Sequence, residues 1–150
     1  EGLANLVHDF PQVTFHIAAF TAMGPKLTDL APSPNVRLYP GISMENYEKL
    51  LATCSLYLDC NHGEEVMSSS IRALENGQIL FGLKSTVHHE AYKELSTIKA
   101  SVEEMKERLG ALLQHPETYK ELLREQVRTL QLPQKEALIE IFKRLEGGRE

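Results

Sequence analysis

The chain has 150 residues, of which 42% are hydrophobic and 25% are charged, and its formal net charge is −5. The length suits one folded core over residues 1–150, and the composition is that of an ordinary globular domain rather than a disordered or membrane-spanning protein. The negative charge argues against nucleic-acid binding, because neutralising phosphates requires a basic surface.

The first elements indicate an α/β fold that begins inside a longer protein. Apolar residues recur at helical spacing over residues 3–10, with no strand and no initial Met ahead of them, so we expect a fragment. Buried strands are predicted over Val13–Ala19 and Val36–Tyr39, because both segments are rich in β-branched and aromatic residues. The second strand ends at a Pro40–Gly41 turn.

The middle of the chain predicts repeated strand–helix–strand crossovers. Ser43 opens a helix that leads into a strand over Ser55–Asp59, and a helix over Val66–Asn76 leads into a strand over Gln78–Leu83. This alternation predicts a Rossmann-like α/β fold, with a mostly parallel sheet covered by helices on both faces.

The last third of the sequence predicts helices alone, packed on the sheet. Ser101 and Glu104 have the spacing of a capping box, and Pro116 and Pro133 each stand where a new helix can start. The final predicted helix carries the apolar residues Leu138, Ile141, Phe142 and Leu145.

The two cysteines and the histidine pair indicate a reducing compartment and no metal site. Cys54 and Cys60 fall at the end of a helix and the end of the next strand, which is a poor framework for a disulfide. We expect free thiols and a cytoplasmic location. His88 and His89 have only Glu90 beside them as a further ligand, so we expect no metal.

The candidate ligand crevice lies at the carboxyl ends of the strands, where an open parallel sheet binds its ligands and helix amino ends attract anions. Asp59 is expected to anchor a loop or cap a helix there rather than act as a base. His62 is either a donor to a diphosphate or a surface histidine, and the acidic residues are either site residues or helix-end charges. The residues expected to line the crevice are Gly41, Asn61, His62, Gly63, Glu64, Glu65, Ser68, Thr86 and His88.

The order of these pieces resembles the carboxyl-terminal, nucleotide-sugar-binding half of GT-B glycosyltransferases, nearest to retaining family four. The segments that carry the likeness are Asn35–Ser43, Leu56–Asp59 and Ser101–Leu109. The resemblance implies that the amino-terminal acceptor half is missing from this chain. It also implies a nucleotide-sugar donor such as a UDP-sugar, nucleobase contacts near Gly41, and no separate cofactor.

In that family two glutamates eight residues apart flank the start of the crevice helix. The resemblance places the first, the catalytic one near the donor sugar, at Glu64, and the second falls on Arg72. A guanidinium only donates hydrogen bonds, so Arg72 cannot accept them from ribose hydroxyls, although it can bind a phosphate or a carboxylate. Whether the protein is an enzyme is therefore left open.

A narrower resemblance leads to the bacterial system that attaches N-acetylglucosamine to serine-rich surface adhesins. Its segments are Thr14–Ala18, Asn35–Pro40, Tyr57–Gly63 and Thr86–His88. In that system a catalytic subunit works with a stabilising partner of the same fold, which has lost catalytic residues and helps to hold the acceptor protein.

Two functions follow from this resemblance. The first is transfer of a hexose or N-acetylhexosamine from a nucleotide sugar to an acceptor hydroxyl in surface protein glycosylation. The alternative is a non-catalytic subunit that binds the acceptor and stabilises a catalytic partner. The expected partners are a nucleotide sugar, an acceptor protein or glycan, and a second glycosyltransferase subunit, with peripheral membrane association through the missing part left open.

Overall fold

A computed structural model describes residues 2–131 and has an α/β fold in which every strand pairing is parallel. The chain divides between Thr53 and Cys54 into two compact units. The α/β prediction is confirmed, whereas a single domain over residues 1–150 stays a prediction. The elements are α1 (Gly2–Asp9), β1 (Phe15–Ala19), α2 (Pro25–Thr28), β2 (Val36–Pro40), α3 (Met44–Thr53), β3 (Leu56–Asp59), α4 (Ser69–Glu75), β4 (Ile79–Leu83), β5 (Ile98–Lys99), α5 (Val102–Gln114) and α6 (Tyr119–Thr129), with short 3-10 helices at Glu90–Glu94 and Pro116–Thr118.

In the first unit β1 and β2 form a two-stranded parallel sheet. The Asn35 side chain donates to the carbonyl oxygens of Val7 at 2.9 Å and Phe10 at 3.2 Å, which satisfies acceptors left open where α1 ends. The Ser43 hydroxyl accepts from the Asn46 N–H at 3.2 Å and so caps α3 as predicted. The buried apolar side chains of this unit are Leu6, Val7, Phe10, Phe15, Val36, Tyr47 and Leu51.

In the second unit β4 is the central strand of a three-stranded parallel sheet in the order β3-β4-β5. Ile79, Leu80 and Phe81 are all 0% exposed, so both faces of this strand are covered. The helices α4, α5 and α6 contact β4, which confirms for α5 and α6 the predicted packing of carboxyl-terminal helices on the sheet. One core cluster of this unit consists of Leu74, Leu80, Tyr92, Leu95 and Ile98.

Side chains extend the hydrogen bonding of β4 where β5 is too short to do so. The Leu80 N–H donates to Gln126 Oε1 at 2.9 Å, and the Leu80 carbonyl accepts from the Thr97 hydroxyl at 2.5 Å. Gln126 Nε2 also donates to the Gln78 carbonyl at 2.8 Å. Gln126 on α6 therefore takes the place of the missing strand residues and fixes α6 to the sheet.

The observed boundaries differ most from the predicted ones at the start of α4. The predicted helix over Val66–Asn76 begins only at Ser69, because Met67 and Ser68 have φ angles of 54° and 53° and a right-handed helix cannot pass through them. The predicted strands and the other predicted helices within residues 2–131 are confirmed to within two residues. Pro133 and the helix predicted over Leu138–Leu145 lie outside the described residues.

The predicted start of α5 at Ser101 is confirmed, although the second hydrogen bond of the predicted capping box lies one residue earlier, at Ala100. The Ser101 hydroxyl accepts from the Glu104 N–H at 3.2 Å, while the Glu104 carboxylate accepts from the Ala100 N–H at 3.2 Å. Pro116 opens a 3-10 turn that leads into α6. None of the helices within residues 2–131 is long and apolar enough to cross a membrane.

Candidate functional site

The candidate site of the second unit is built around Asp59, the last residue of β3. Asp59 is 2% exposed, and its carboxylate accepts from His88 Nδ1 at 2.5 Å and from the His88 backbone N–H at 3.0 Å. The other ring nitrogen of His88, Nε2, lies 2.9 Å from the Gly63 carbonyl oxygen. The anchor role expected for Asp59 is thus observed, and His88 joins the end of β3 to the loop that follows it.

The surroundings of His88 favour its charged form. Burial alone would lower the pKa of His88, but the hydrogen bonds to Gly63 and Asp59 and the negative charges of Asp59 and Glu65 outweigh it, so the pKa is raised above 6.5. Both oxygens that face the ring can only accept, so each ring nitrogen must carry a proton to satisfy both contacts.

Thr86 and Gly82 bring the end of β4 against the end of β3. The Thr86 hydroxyl is buried and donates to the Asp59 carbonyl at 2.9 Å. A Cβ atom at position 82 would lie 2.6 Å from that same carbonyl oxygen and 3.1 Å from a Val87 methyl, so only glycine fits there. This close approach puts the segment after β4, which carries His88, beside Asp59.

Glu65 is held by the first turn of α4. Its Oε1 accepts from the Ser70 N–H at 2.8 Å and from the Ser70 hydroxyl, and its Oε2 accepts from His89 Nε2 at 2.8 Å. Because the Ser70 proton points to Glu65, the Tyr92 hydroxyl must donate to Ser70 Oγ, at 2.9 Å. Glu65 therefore caps α4 with a carboxylate from within the chain.

These contacts also set the ionisation of Glu65. Burial would raise the pKa of the Glu65 carboxyl, but the two hydrogen bonds from Ser70, the hydrogen bond from His89 and the charge of His89 together lower it below its usual range. The carboxylate is thus stabilised in its charged form without any external cation.

A strained turn separates this loop from α4. Met67 and Ser68 both adopt the left-handed conformation, which costs a residue with a side chain roughly 1–2 kcal/mol. The Arg72 guanidinium donates through Nε to the Met67 carbonyl at 2.9 Å and so braces the turn. The Ser68 side chain does not cap the helix, although Ser68 stands at the capping position.

The remaining loop candidates are exposed. Asn61 accepts from the Gly63 N–H at 3.1 Å and forms a local turn. Gly63 lacks a positive φ, and a Cβ atom there would make only an ordinary 3.5 Å contact, so neither conformation nor close approach requires a glycine. Within residues 2–131, the side chains of His62 and Glu64 have no hydrogen bond or ion pair, and both face solvent.

Gly41 belongs to the first unit, where it closes β2. Its φ of +62° is a conformation that favours glycine, and its N–H donates to the Thr21 carbonyl at 3.0 Å. The nucleobase contact expected near Gly41 stays a prediction.

The structure thus gathers several predicted residues into two connected clusters. Gly63, Thr86 and His88 meet around Asp59, and Glu65 meets α4. The hydrogen bonds of Glu65 with Ser70 and His89, and that of Ser70 with Tyr92, were not predicted, because nothing in the sequence indicates which of these residues pair over such distances. Ligand roles for the candidate residues stay predictions.

In the part of the chain that the structure describes, no group of three or more His, Cys, Asp or Glu side chains is placed to hold a metal ion.

Comparison with known proteins gives one family and several relatives. The family model for the GftB/GlyA-F C-terminal domain matches residues 1–126. The N-acetylglucosaminyltransferase stabilizing protein GtfB of Streptococcus gordonii is 40% identical over 92 residues, which are 61% of this chain and 20% of that protein. The glycosyltransferase GlyD of Streptococcus pneumoniae is 43% identical over 90 residues, which are 60% of this chain and 11% of that protein.

A solved structure matches almost the whole chain. A chain of the crystal structure of the GtfA/B complex bound to UDP and GlcNAc superposes with a TM-score of 0.78 at 31% identity, over 95% of this chain and 32% of that chain. The present chain therefore spans about a third or less of the proteins it resembles.

Proposed function

The chain belongs to the GftB/GlyA-F C-terminal domain family, and from this premise we propose that it is part of a non-catalytic glycosyltransferase-like subunit that stabilises a catalytic partner and helps to bind an acceptor protein. The relative from Streptococcus gordonii is named a stabilizing protein, and the solved neighbour is a chain of a GtfA/B complex bound to UDP and GlcNAc. Under this proposal the partner binds and transfers the sugar, and UDP-N-acetylglucosamine is the donor.

The observation that carries the proposal is at position 72. Arg72 stands eight residues after Glu64, where the resembling enzymes have a carboxylate for the ribose hydroxyls. Its guanidinium can only donate, and its Nε is already used on the Met67 carbonyl. A residue that braces a turn is a poor substitute for one that accepts hydrogen bonds from a donor nucleotide.

The contacts of Glu65 support the same function. The Ser70 N–H belongs to the helix end that the sequence suggested for binding phosphate, and it already donates to the Glu65 carboxylate at 2.8 Å. A diphosphate at this position would have to displace one carboxylate and approach a second, Glu64, that is exposed. Both requirements weaken nucleotide binding at this end of α4.

One observation favours the second candidate, an active glycosyltransferase. Glu64 is exposed and its carboxylate has no partner among residues 2–131, as a group that acts on a substrate would require. GlyD, named a glycosyltransferase, is also 43% identical over 90 residues. The two candidates differ in whether Glu64 matters for transfer.

The test uses the complete protein that contains this chain, with and without its glycosyltransferase partner. Transfer from UDP-N-acetylglucosamine to a serine-rich acceptor is measured for the wild type and for E64Q, with E75Q as a control because Glu75 is an exposed glutamate on α4. We expect no transfer by the wild type alone, and transfer within twofold of wild type for both variants when the partner is present. Transfer by the protein alone that E64Q abolishes and E75Q preserves would establish the enzyme instead.

A further inference from the structure

The contact of His88 with Gly63 holds an otherwise free loop. Within residues 2–131 it is the one hydrogen bond that ties residues 61–64 to another element, since Asn61 bonds only inside the loop. On its other side the His88 ring is fixed by Asp59, whose side chain is 2% exposed. Between Asp59, where β3 ends, and Glu65, which is bonded to Ser70, the loop that carries His62 and Glu64 is therefore held by one imidazole ring.

Both contacts of this ring require a proton on histidine. The Gly63 carbonyl and the Asp59 carboxylate are acceptors, and they lie 2.9 Å and 2.5 Å from the two ring nitrogens. A neutral imidazole has one N–H, so it can donate to only one of them and must turn a lone pair toward the other oxygen. Because Asp59 also accepts from the His88 backbone N–H, the contact with Gly63 is the one that a neutral ring gives up.

We propose that the His88 imidazolium is a positioning device, here called the His88 latch and made of Asp59, His88 and Gly63, that holds the loop of residues 61–64 in place while charged and releases it when it loses its proton. The latch makes the presentation of His62 and Glu64 dependent on pH. It does not rest on the proposed function, because it concerns the order of the loop whatever the loop binds.

The charged groups around the ring favour this behaviour. Asp59 on β3 and Glu65 after the loop are the acidic groups that act on His88, and Glu65 is itself paired with His89 at 2.8 Å. The nearby Cys60 thiol has its pKa raised by burial and by Asp59, and the pKa of the Tyr92 hydroxyl is raised by burial and by Glu65 and Asp59, so both stay neutral as His88 titrates. The loop's own ionisable side chains, His62 and Glu64, face solvent.

The direction of the pH effect follows from the raised pKa of His88. A group whose pKa is higher in the folded than in the unfolded chain gives its full stabilisation below the unfolded value, and loses it as pH rises through the folded value. The latch is therefore closed in mildly acidic solution and opens above the folded pKa of His88, which lies above 6.5.

The experiment is an NMR titration of the full chain with 15N-labelled histidine, from about pH 5 to about pH 9. We expect both ring nitrogens of His88 to carry protons at the acid end, with a midpoint above the 6.5 of an ordinary histidine. In a uniformly 15N-labelled sample, the backbone order parameters of residues 62–64 should fall from the rigid range to below about 0.6 through the same midpoint.

Two variants separate the latch from general effects of pH. In H88Q the loop should be as mobile at acid pH as the wild-type loop is at alkaline pH, with no further change on titration. In H8Q, which removes an exposed histidine paired with Asp9 at 2.9 Å, the loop should titrate as in the wild type. If H88Q does not fold, the titration of the wild-type protein is sufficient to test the latch.

A singly protonated His88 ring at the acid end, or loop order parameters that stay constant through the His88 midpoint, overturns the inference. The proposed function is tested separately. If the protein transfers sugar without a partner, the proposed function is wrong, but the expected titration of His88 is unaffected.

Discussion

At the scale of single residues, the turn before α4 is the most strained part of the backbone within residues 2–131. Met67 and Ser68 are consecutive left-handed residues with side chains, and both are exposed. Such strained conformations persist only where contacts with neighbouring residues hold them in place, and they are common at binding sites. Two hydrogen bonds hold this turn, one from Arg72 to the Met67 carbonyl and one from the Ser69 N–H to the Val66 carbonyl at 3.1 Å.

We predict that S68G stabilises the protein. Glycine adopts the left-handed conformation without a steric penalty, and the Ser68 side chain makes no capping bond that the change would remove. After allowing for the greater freedom of glycine in the unfolded chain, the gain should be about 0.5–1 kcal/mol in urea unfolding. S43G is the control, because the Ser43 hydroxyl does cap its helix, so that variant should lose a few tenths of a kcal/mol. Equal changes in both variants would mean that the turn is not strained.

A second residue-scale prediction concerns the neighbouring glutamates. E65A removes a charged acceptor of three hydrogen bonds and should destabilise the protein by about 1.5–3 kcal/mol near neutral pH. E64A, which removes an exposed carboxylate, should change stability by less than about 0.5 kcal/mol. The comparison is made by urea unfolding at constant ionic strength.

The stabilisation by Glu65 should also depend on pH in a direction opposite to that of His88. The pKa of Glu65 is lower in the folded chain, so its stabilisation is complete above the unfolded value of 4.5 and is lost as pH falls through the folded value. The difference between wild type and E65A should therefore shrink in acid. A difference that stays constant below pH 4.5 would contradict the assigned hydrogen bonds.

At the scale of elements, α6 is joined to the sheet by the Gln126 side chain, which forms backbone hydrogen bonds to β4 of the kind that a neighbouring strand would form. Gln126 is 2% exposed and bonds to Leu80 N–H and to the Gln78 carbonyl. Q126A leaves two buried backbone groups without partners, so it should destabilise the protein by about 2–5 kcal/mol in urea unfolding. The exposed Gln114 on α5 gives the control Q114A, which should lie within about 0.5 kcal/mol of wild type. A small effect of Q126A would mean that water replaces the glutamine.

The same elements show how far sequence reasoning reaches. The crossover strands and helices were predictable because their apolar spacing is local, and so were the caps at Ser43 and Ser101. The two-residue strand β5 and the four-residue helix α2 were not, since elements this short have no period to detect.

The candidate site was also only partly predictable from the sequence. The sequence predicted candidate site residues in the loop after Asp59, whose functional roles stay predictions, and it predicted that Asp59 is an anchor, which is observed. It did not indicate the partner of Asp59, because His88 follows 29 residues later and their meeting depends on the close approach of β4 to β3 at Gly82. The late start of α4 was also not predictable, since Met67 and Ser68 are not residue types that usually adopt the left-handed conformation.

At the scale of the whole chain, charge limits what this domain can bind without other parts of the protein. The formal net charge is −5, and the loop before α4 adds two adjacent carboxylates, Glu64 and Glu65. The nearby cationic groups, Arg72 and His88, each already donate to oxygen atoms of the chain.

We therefore predict that UDP stabilises this chain only slightly. If its dissociation constant is about 1 mM or weaker, 1 mM UDP adds at most about 0.4 kcal/mol, which is a Tm rise of about 1 °C. Sodium sulfate at matched ionic strength is the control, because it should give the same small rise if the effect is nonspecific screening. A Tm rise of several degrees at micromolar UDP, absent with sulfate, would mean that the chain alone has a complete nucleotide site. Glu65 would then have to leave the Ser70 N–H on binding, and E65A should bind UDP more tightly than the wild type.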